Sequence, residues 1–158
     1  MDNTLKEILE NPQFVEGVAW TRRTVKANEV LVKQGDIGKT LFVVESGILR
    51  VTGHVELGEH KNIQPGFCDL ETGSVFGETC LHASSVRMAT VLAATDSVVV
   101  EINGARLSIF LDAHPILGYL FYKQVFQSFV TRLDIANQRV EHLMAWGLKV
   151  HDIDRYLQ

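Results

Sequence analysis

Phe76-Gly77-Glu78-Thr79-Cys80-Leu81, followed after a short polar loop by Arg87-Met88-Ala89-Thr90-Val91, carries the residue types of an anion trap. Gly77 allows close backbone approach to a ligand, Glu78 to Leu81 can form one helical turn with free amides, and Arg87 offers a fork of donors. Glu78 is the odd member. A carboxylate beside an anion site repels the anion, and it is tolerable there only if it accepts a hydrogen bond from a neutral group such as a sugar hydroxyl. Anion and hydroxyl together point to a nucleotide. The plainer reading of the same two residues is a buried Glu–Arg pair that staples a barrel.

The elements that must position this stretch are mostly strands. From Thr21 to Asn103 the chain consists of short runs rich in Val, Ile, Leu and Thr, punctuated by Gly35, Gly38, Gly47, Gly53, Gly58, Gly66 and Gly73. The runs predict strands over Thr21–Lys26, Val30–Lys33, Thr40–Glu45, Ile48–Val55, Phe67–Glu71, Arg87–Ala93 and Ser97–Ile102. Regular short strands with tight turns favour an antiparallel jelly-roll or barrel. Between Gly53 and Gly66 the sequence reads as a long polar excursion.

Helices flank this β region. Leu5, Ile8 and Leu9 predict an N-terminal helix within residues 3–14, ended or bent by Pro12. After a barrel over residues 20–103, Ala105–Ala113 predicts a short helix closed by His114-Pro115, and a long helix from about Pro115 to Trp146 with Gly147 as its stop. Leu117, Phe121 and Val125 form one stripe along it. Tyr119, Tyr122, Phe126, Phe129, Leu133, Ala136, Val140 and Leu143 form a second, spaced three and four apart like a heptad seam. A helix of some thirty residues spans roughly 45 Å, longer than a small domain is wide, so half of it needs another partner. A two-fold homodimer uses one such stripe twice.

The 158 residues suffice for a single domain, residues 1–158, whose 46% apolar and 22% charged composition is that of an ordinary globular protein. The apolar runs are strand-sized and the N-terminus is acidic where a secretory signal is basic, which predicts a cytoplasmic protein with no membrane partner. A net charge of −4 gives no footprint for duplex DNA, and the Arg22-Arg23 pair fits an edge strand. Cys68 and Cys80 read as two reduced thiols. None of His54, His60, His82, His114, His142 and His151 has the spacing of a cupin metal site, and no nucleophile elbow, phosphate loop or zinc-protease motif is present, so neither catalysis nor a metal is expected.

Phe-Gly-Glu-x-small-Leu, a loop, then Arg-x-Ala-Thr-Val resembles the phosphate-binding cassette of the cyclic nucleotide-binding domain family. Val30-Leu31-Val32-Lys33-Gln34-Gly35-Asp36 is similar to that family's strand and Gln-Gly-Asp turn, and Leu41-Phe42-Val43-Val44-Glu45-Ser46-Gly47 to its next strand and turn. The nine-residue spacing of Glu78 and Arg87 looks like that in protein kinase A regulatory subunits, and the likeness runs from about Trp20 to Phe110. Thr79 stands where the family usually has Leu, and Val86 where Pro often precedes the Arg.

The resemblance implies a cNMP-binding β-barrel followed by a long helix, with ligand contacts from Phe76, Gly77, Glu78, Thr79, Cys80, Leu81, Arg87, Met88 and Ala89. In it the Cys80 amide and Arg87 face the cyclic phosphate, while Glu78 and the Gly77 amide hold the ribose 2′-hydroxyl. Members that prefer cGMP often carry Thr or Ser after the Arg; Met88 cannot make that bond, which favours cAMP over cGMP. The long helix dimerises in bacterial relatives and would cover the base, and the segment Ala105 to Leu117 would relay binding to it and to an unknown downstream protein. Only Leu148 to Gln158 follow, too short for a helix-turn-helix; Asp152 to Leu157 reads as a last helical turn folding back on the barrel. A degenerate protein-interaction module and a pocket for a cyclic dinucleotide such as c-di-GMP are the alternatives.

Overall fold

The computed structural model describes residues 3–53, 55–57, 61–63, 66–81 and 86–150, and divides the chain into two compact units, Met1–Phe121 and Tyr122–Gln158. In the first unit, helix α1 (Asn3–Glu10) precedes β1 (Trp20–Val25), β2 (Val30–Val32), β3 (Thr40–Ser46) and β4 (Leu49–Thr52). Then come β5 (Val55–Leu57), β6 (Lys61–Ile63), β7 (Gly66–Leu70), β8 (Val75–Phe76) and a 3-10 turn, Glu78–Leu81. β9 (Thr90–Ala93), β10 (Ser97–Asn103) and α2 (Gly104–Ala113) lead into α3 (Pro115–Val150).

The strands pair antiparallel into two four-stranded sheets, β1-β10-β3-β8 and β2-β9-β4-β7, with a separate β5-β6 hairpin. This is the antiparallel β-roll with terminal helices that the sequence predicts. Strand alternation places Val25, Phe42, Val44, Phe76 and Val99 of the first sheet against Val32, Leu49, Leu70, Val91 and Ala93 of the second, in one core. β3 is buried on both faces: Leu41 and Val43, on the face opposite Phe42 and Val44, are also inaccessible. Among the helical residues Leu5, Ile8, Leu107, Phe110, Leu111 and Phe121 are buried, Phe14 lies 5.0 Å from Phe110 between ring centres, and Trp20 Nε1 donates to Phe14 O at 2.9 Å.

Several boundaries differ from the sequence reading, each for a local reason. Helix α1 stops at Glu10 rather than near Phe14, because a residue preceding proline is pushed out of helical geometry and Asn11 precedes Pro12. The polar excursion contains a hairpin, with Val55 opposite Ile63 and Leu57 opposite Lys61, and β4 ends at Thr52 before it. Strand β9 begins at Thr90 rather than Arg87, since Arg87 gives its amide to Asp36 O (2.8 Å) and accepts from Gly35 N (2.9 Å). Two-residue β8 is too short to announce itself by alternation.

Helix α2 starts one residue early, at Gly104, where the Asn103 side chain caps it by accepting from Arg106 N at 3.0 Å. Pro115 opens α3 as expected. Gly147 does not stop that helix, which continues to Val150; a lone helical glycine costs only about 1 kcal/mol against alanine. The second unit consists, among its described residues, of α3 from Tyr122 onward. There Tyr122, Phe126, Phe129, Leu133, Val140 and Leu143 are exposed, as is Tyr119 in the first unit, whereas Phe121 of the other stripe is buried. The expected turn over Asp152 to Leu157 lies outside the described residues. No described helix is long and apolar enough to cross a membrane.

Candidate functional site

Arg87 reaches its position through the backbone first. The two hydrogen bonds to the Gly35-Asp36 turn clamp it between β2 and β3, and the Ile37–Val86 bridge extends the clamp by one residue. Its side chain is then buried, at 7% exposure. The guanidinium runs beside Gly38, where a Cβ would overlap it, and beneath Gly77, where a Cβ would lie 2.6 Å from Nη1 and 3.0 Å from Thr40 O. Gly77 also has φ +78°, a left-handed conformation that side chains disfavour. Thus both glycines are there because the arginine is.

Arg87 Nη2 donates to Thr40 Oγ1 at 3.0 Å and Nη1 to Gly77 O at 3.4 Å. Its charge lies 5.4 Å from the centre of the Phe42 ring, and Phe42 stacks on Phe76 at 5.1 Å across the β3–β8 pair. Among the described residues it makes no ion pair. Burial pulls its pKa below the usual guanidinium value, opposed in part by Cys80, Glu101 and Glu78 nearby, and the group stays charged. Glu78 and Arg87 are both buried, and among the described residues no direct salt bridge joins them.

The other sequence-predicted residues are placed around this centre with different exposures. Glu78 opens the 3-10 turn and is buried; Thr79, Cys80, Leu81 and Ala89 are half-buried; Met88 is 78% exposed. Phe76 belongs to the core, where it supports Phe42. The Cys80 amide differs from expectation: it donates to Gly77 O at 3.1 Å, because a single 3-10 turn closes on its own third amide. Burial raises the Cys80 thiol above its usual 9.0, Arg87 counteracting.

Cys80 also ties the turn to the helices. A Cβ on Gly104, the first residue of α2, would fall 2.7 Å from Cys80 Sγ, and Gly104 N donates to Lys39 O at 2.9 Å. Sequence reasoning missed Gly38, Lys39 and Thr40 as parts of this centre. They follow the Gln34-Gly35-Asp36 motif after Ile37, and the turn of that motif is what brings them to Arg87. Among the described residues no cluster of His, Cys, Asp and Glu could hold a metal; His54, His60, His82 and His151 are not among them.

The fold and the centre define a class: a β-roll domain in which a strand-to-turn cassette surrounds a buried arginine. A family model described as "Cyclic nucleotide-binding domain" matches residues 22–114, and the chain belongs to that family. It is 33% identical over 99 residues to a cAMP-dependent protein kinase regulatory subunit of Blastocladiella emersonii, a match spanning 62% of this chain and 24% of that protein. The acetyltransferase Pat of Mycolicibacterium smegmatis is 36% identical over 85 residues, 52% of this chain and 24% of the enzyme. The chain therefore corresponds to about a quarter of these relatives' length. The Thermus thermophilus catabolite activator protein shares the fold, with TM-score 0.61 at 22% identity over 84% of this chain and 63% of that one.

Proposed function

We propose that this chain is a non-catalytic cyclic-nucleotide sensor of the cytoplasm that favours cAMP and relays binding through a dimerising α3. The observation that carries the reading is Arg87, a buried cation whose hydrogen-bonded partners among the described residues are all neutral. Removing a charge from water costs several kcal/mol, and a counter-ion is the usual compensation. A cyclic phosphate supplies that charge at the mouth of the Glu78–Leu81 turn.

Beside it, the Glu78 carboxylate and the Gly77 amide suit a ribose 2′-hydroxyl, one accepting and one donating. The half-buried Cys80 is small enough to leave the phosphate room, and its amide reaches the ligand by exchanging the bond to Gly77 O. Met88 offers no hydroxyl to a guanine edge, which supports adenine. The Cys80–Gly104 packing and the Gly104–Lys39 hydrogen bond give ligand-driven changes in the turn a direct hold on the start of α2. The size of that relay is set by the ligand's differential affinity for the two arrangements.

The test is a thermal-shift panel of cAMP, cGMP and c-di-GMP on wild type and Arg87→Ala. A ligand at a hundredfold excess over its Kd adds about 2.7 kcal/mol of stability. The expected result is a saturable shift with cAMP, weaker with cGMP, lost in Arg87→Ala through a cost of about 2–5 kcal/mol. A shift with c-di-GMP alone would transfer the site to cyclic dinucleotides. No shift with any of the three would leave a protein-interaction module.

A further inference from the structure

We infer that Thr40 is the positioning residue of the anion site: its hydroxyl sets the plane of the Arg87 guanidinium and decides which donors are left for a ligand. The inference rests on the cyclic-nucleotide reading above and adds a residue to it. Arg87 has five N–H donors in a rigid planar fork. One from Nη2 goes to Thr40 Oγ1 at 3.0 Å and one from Nη1 to Gly77 O at the looser distance of 3.4 Å. Two bonds on different nitrogens of a planar group fix its orientation, and the Thr40 bond is the shorter.

Thr40 is suited to this by its mounting. It is the first residue of β3, in register with Asn103 of β10, and the preceding carbonyl, Lys39 O, receives the Gly104 amide at 2.9 Å. A β-branched side chain on a strand so anchored has few rotamers to lose. The hydroxyl also orients without neutralising. A carboxylate here would quench the positive charge that an anion needs, whereas Thr40 accepts one hydrogen bond and leaves the net charge of the centre intact. The remaining walls, Gly38 on one side and the Phe42 ring 5.4 Å from the charge, confine the fork but form no bond to it.

The experiment is calorimetric titration of wild type, Thr40→Val, Thr40→Ala and Thr40→Ser with cAMP and with its two phosphorothioate diastereomers, which replace one or the other exocyclic phosphate oxygen by sulfur. Loss of a hydrogen bond to a charged group predicts about tenfold weaker cAMP binding in Thr40→Val and Thr40→Ala, with Thr40→Ser within about twofold of wild type. Wild type should also prefer one diastereomer, and the preference should narrow when the hydroxyl is removed, which a merely structural loss would not produce. If Thr40→Val does not fold, as its melting curve shows, Thr40→Ala and Thr40→Ser complete the comparison. Unchanged affinity and diastereomer preference in the hydroxyl-free variants would overturn the inference, as would equal impairment of Thr40→Ser. Absence of cAMP binding by the wild type would instead remove the parent reading, whatever the variants do.

Discussion

At the scale of single residues, the centre is organised around one side chain that the sequence displays and several that it hides. Arg87, Gly77 and Glu78 are legible because their types are unusual in a strand-rich stretch and their spacing is compact. Gly38 and Thr40 are ordinary loop and strand residues some fifty positions earlier, and only the closure of the Gly35-Asp36 turn onto Arg87 gives them a role. Gly38 provides a sharp test, since a methyl group there would overlap the guanidinium. Gly38→Ala is expected to displace Arg87 and to weaken cAMP binding at least tenfold, at an overpacking cost of about 1–3 kcal/mol. Titration beside a melting curve checks both, and wild-type affinity in the variant would show that the arginine's position is immaterial to binding.

At the scale of elements, the β-roll was legible wherever apolar alternation and turn glycines coincide, and illegible where pairing depends on partners far away. β8 and the β5–β6 hairpin are too short to carry a period, and the start of β9 was misplaced because Arg87 bonds to a turn instead of the ladder. The β1–β2 turn, by contrast, is held by charges. Glu29 Oε2 accepts from Lys26 N at 3.0 Å, Asp96 accepts from Ala27 N and Lys26 Nζ at 2.9 Å each, and Asn28 takes the left-handed φ of 69°. The backbone bond to Lys26 and then Arg23 lower the Glu29 pKa below its usual 4.5, and Lys26 followed by the Ala27 amide lower Asp96 below 3.8. Folded values below unfolded ones mean that the clamp contributes fully above about pH 4.5 and is lost as pH falls through the folded values. Acid unfolding followed by circular dichroism should accordingly start lower in stability and be less pH-dependent below pH 4.5 in Asp96→Asn than in wild type. Superimposable acid limbs would show that the clamp adds nothing.

At the scale of the whole molecule, α3 poses a problem of partnership that its length and the spacing of its apolar residues raise in the sequence. Its 36 residues correspond to about 54 Å of helix, and from Tyr122 to Val150 it presents Phe126, Leu133 and Leu143 at 67%, 62% and 66% exposure. Most helical stability in proteins comes from packing of an apolar face rather than from intrinsic propensity, so aromatic and aliphatic side chains left in solvent cannot be what sustains it. The seam from Tyr122 through Phe126, Phe129, Leu133, Ala136 and Val140 to Leu143 keeps three- and four-residue steps, the pattern that two identical helices satisfy by knobs-into-holes packing about a two-fold axis. Placing a carboxylate in the middle of that seam would bury two like charges against each other. The wild-type chain is therefore expected to sediment at twice its 17.7 kDa mass, and Leu133→Glu at the single-chain mass with its cAMP affinity still measurable, because the cassette residues all precede α3. A cysteine at Ala136 should crosslink readily on oxidation if the two helices run parallel, since equivalent seam positions then face each other. Single-chain sedimentation of the wild type at micromolar concentration would refute the dimer and leave α3 to a different partner, without touching the arginine centre.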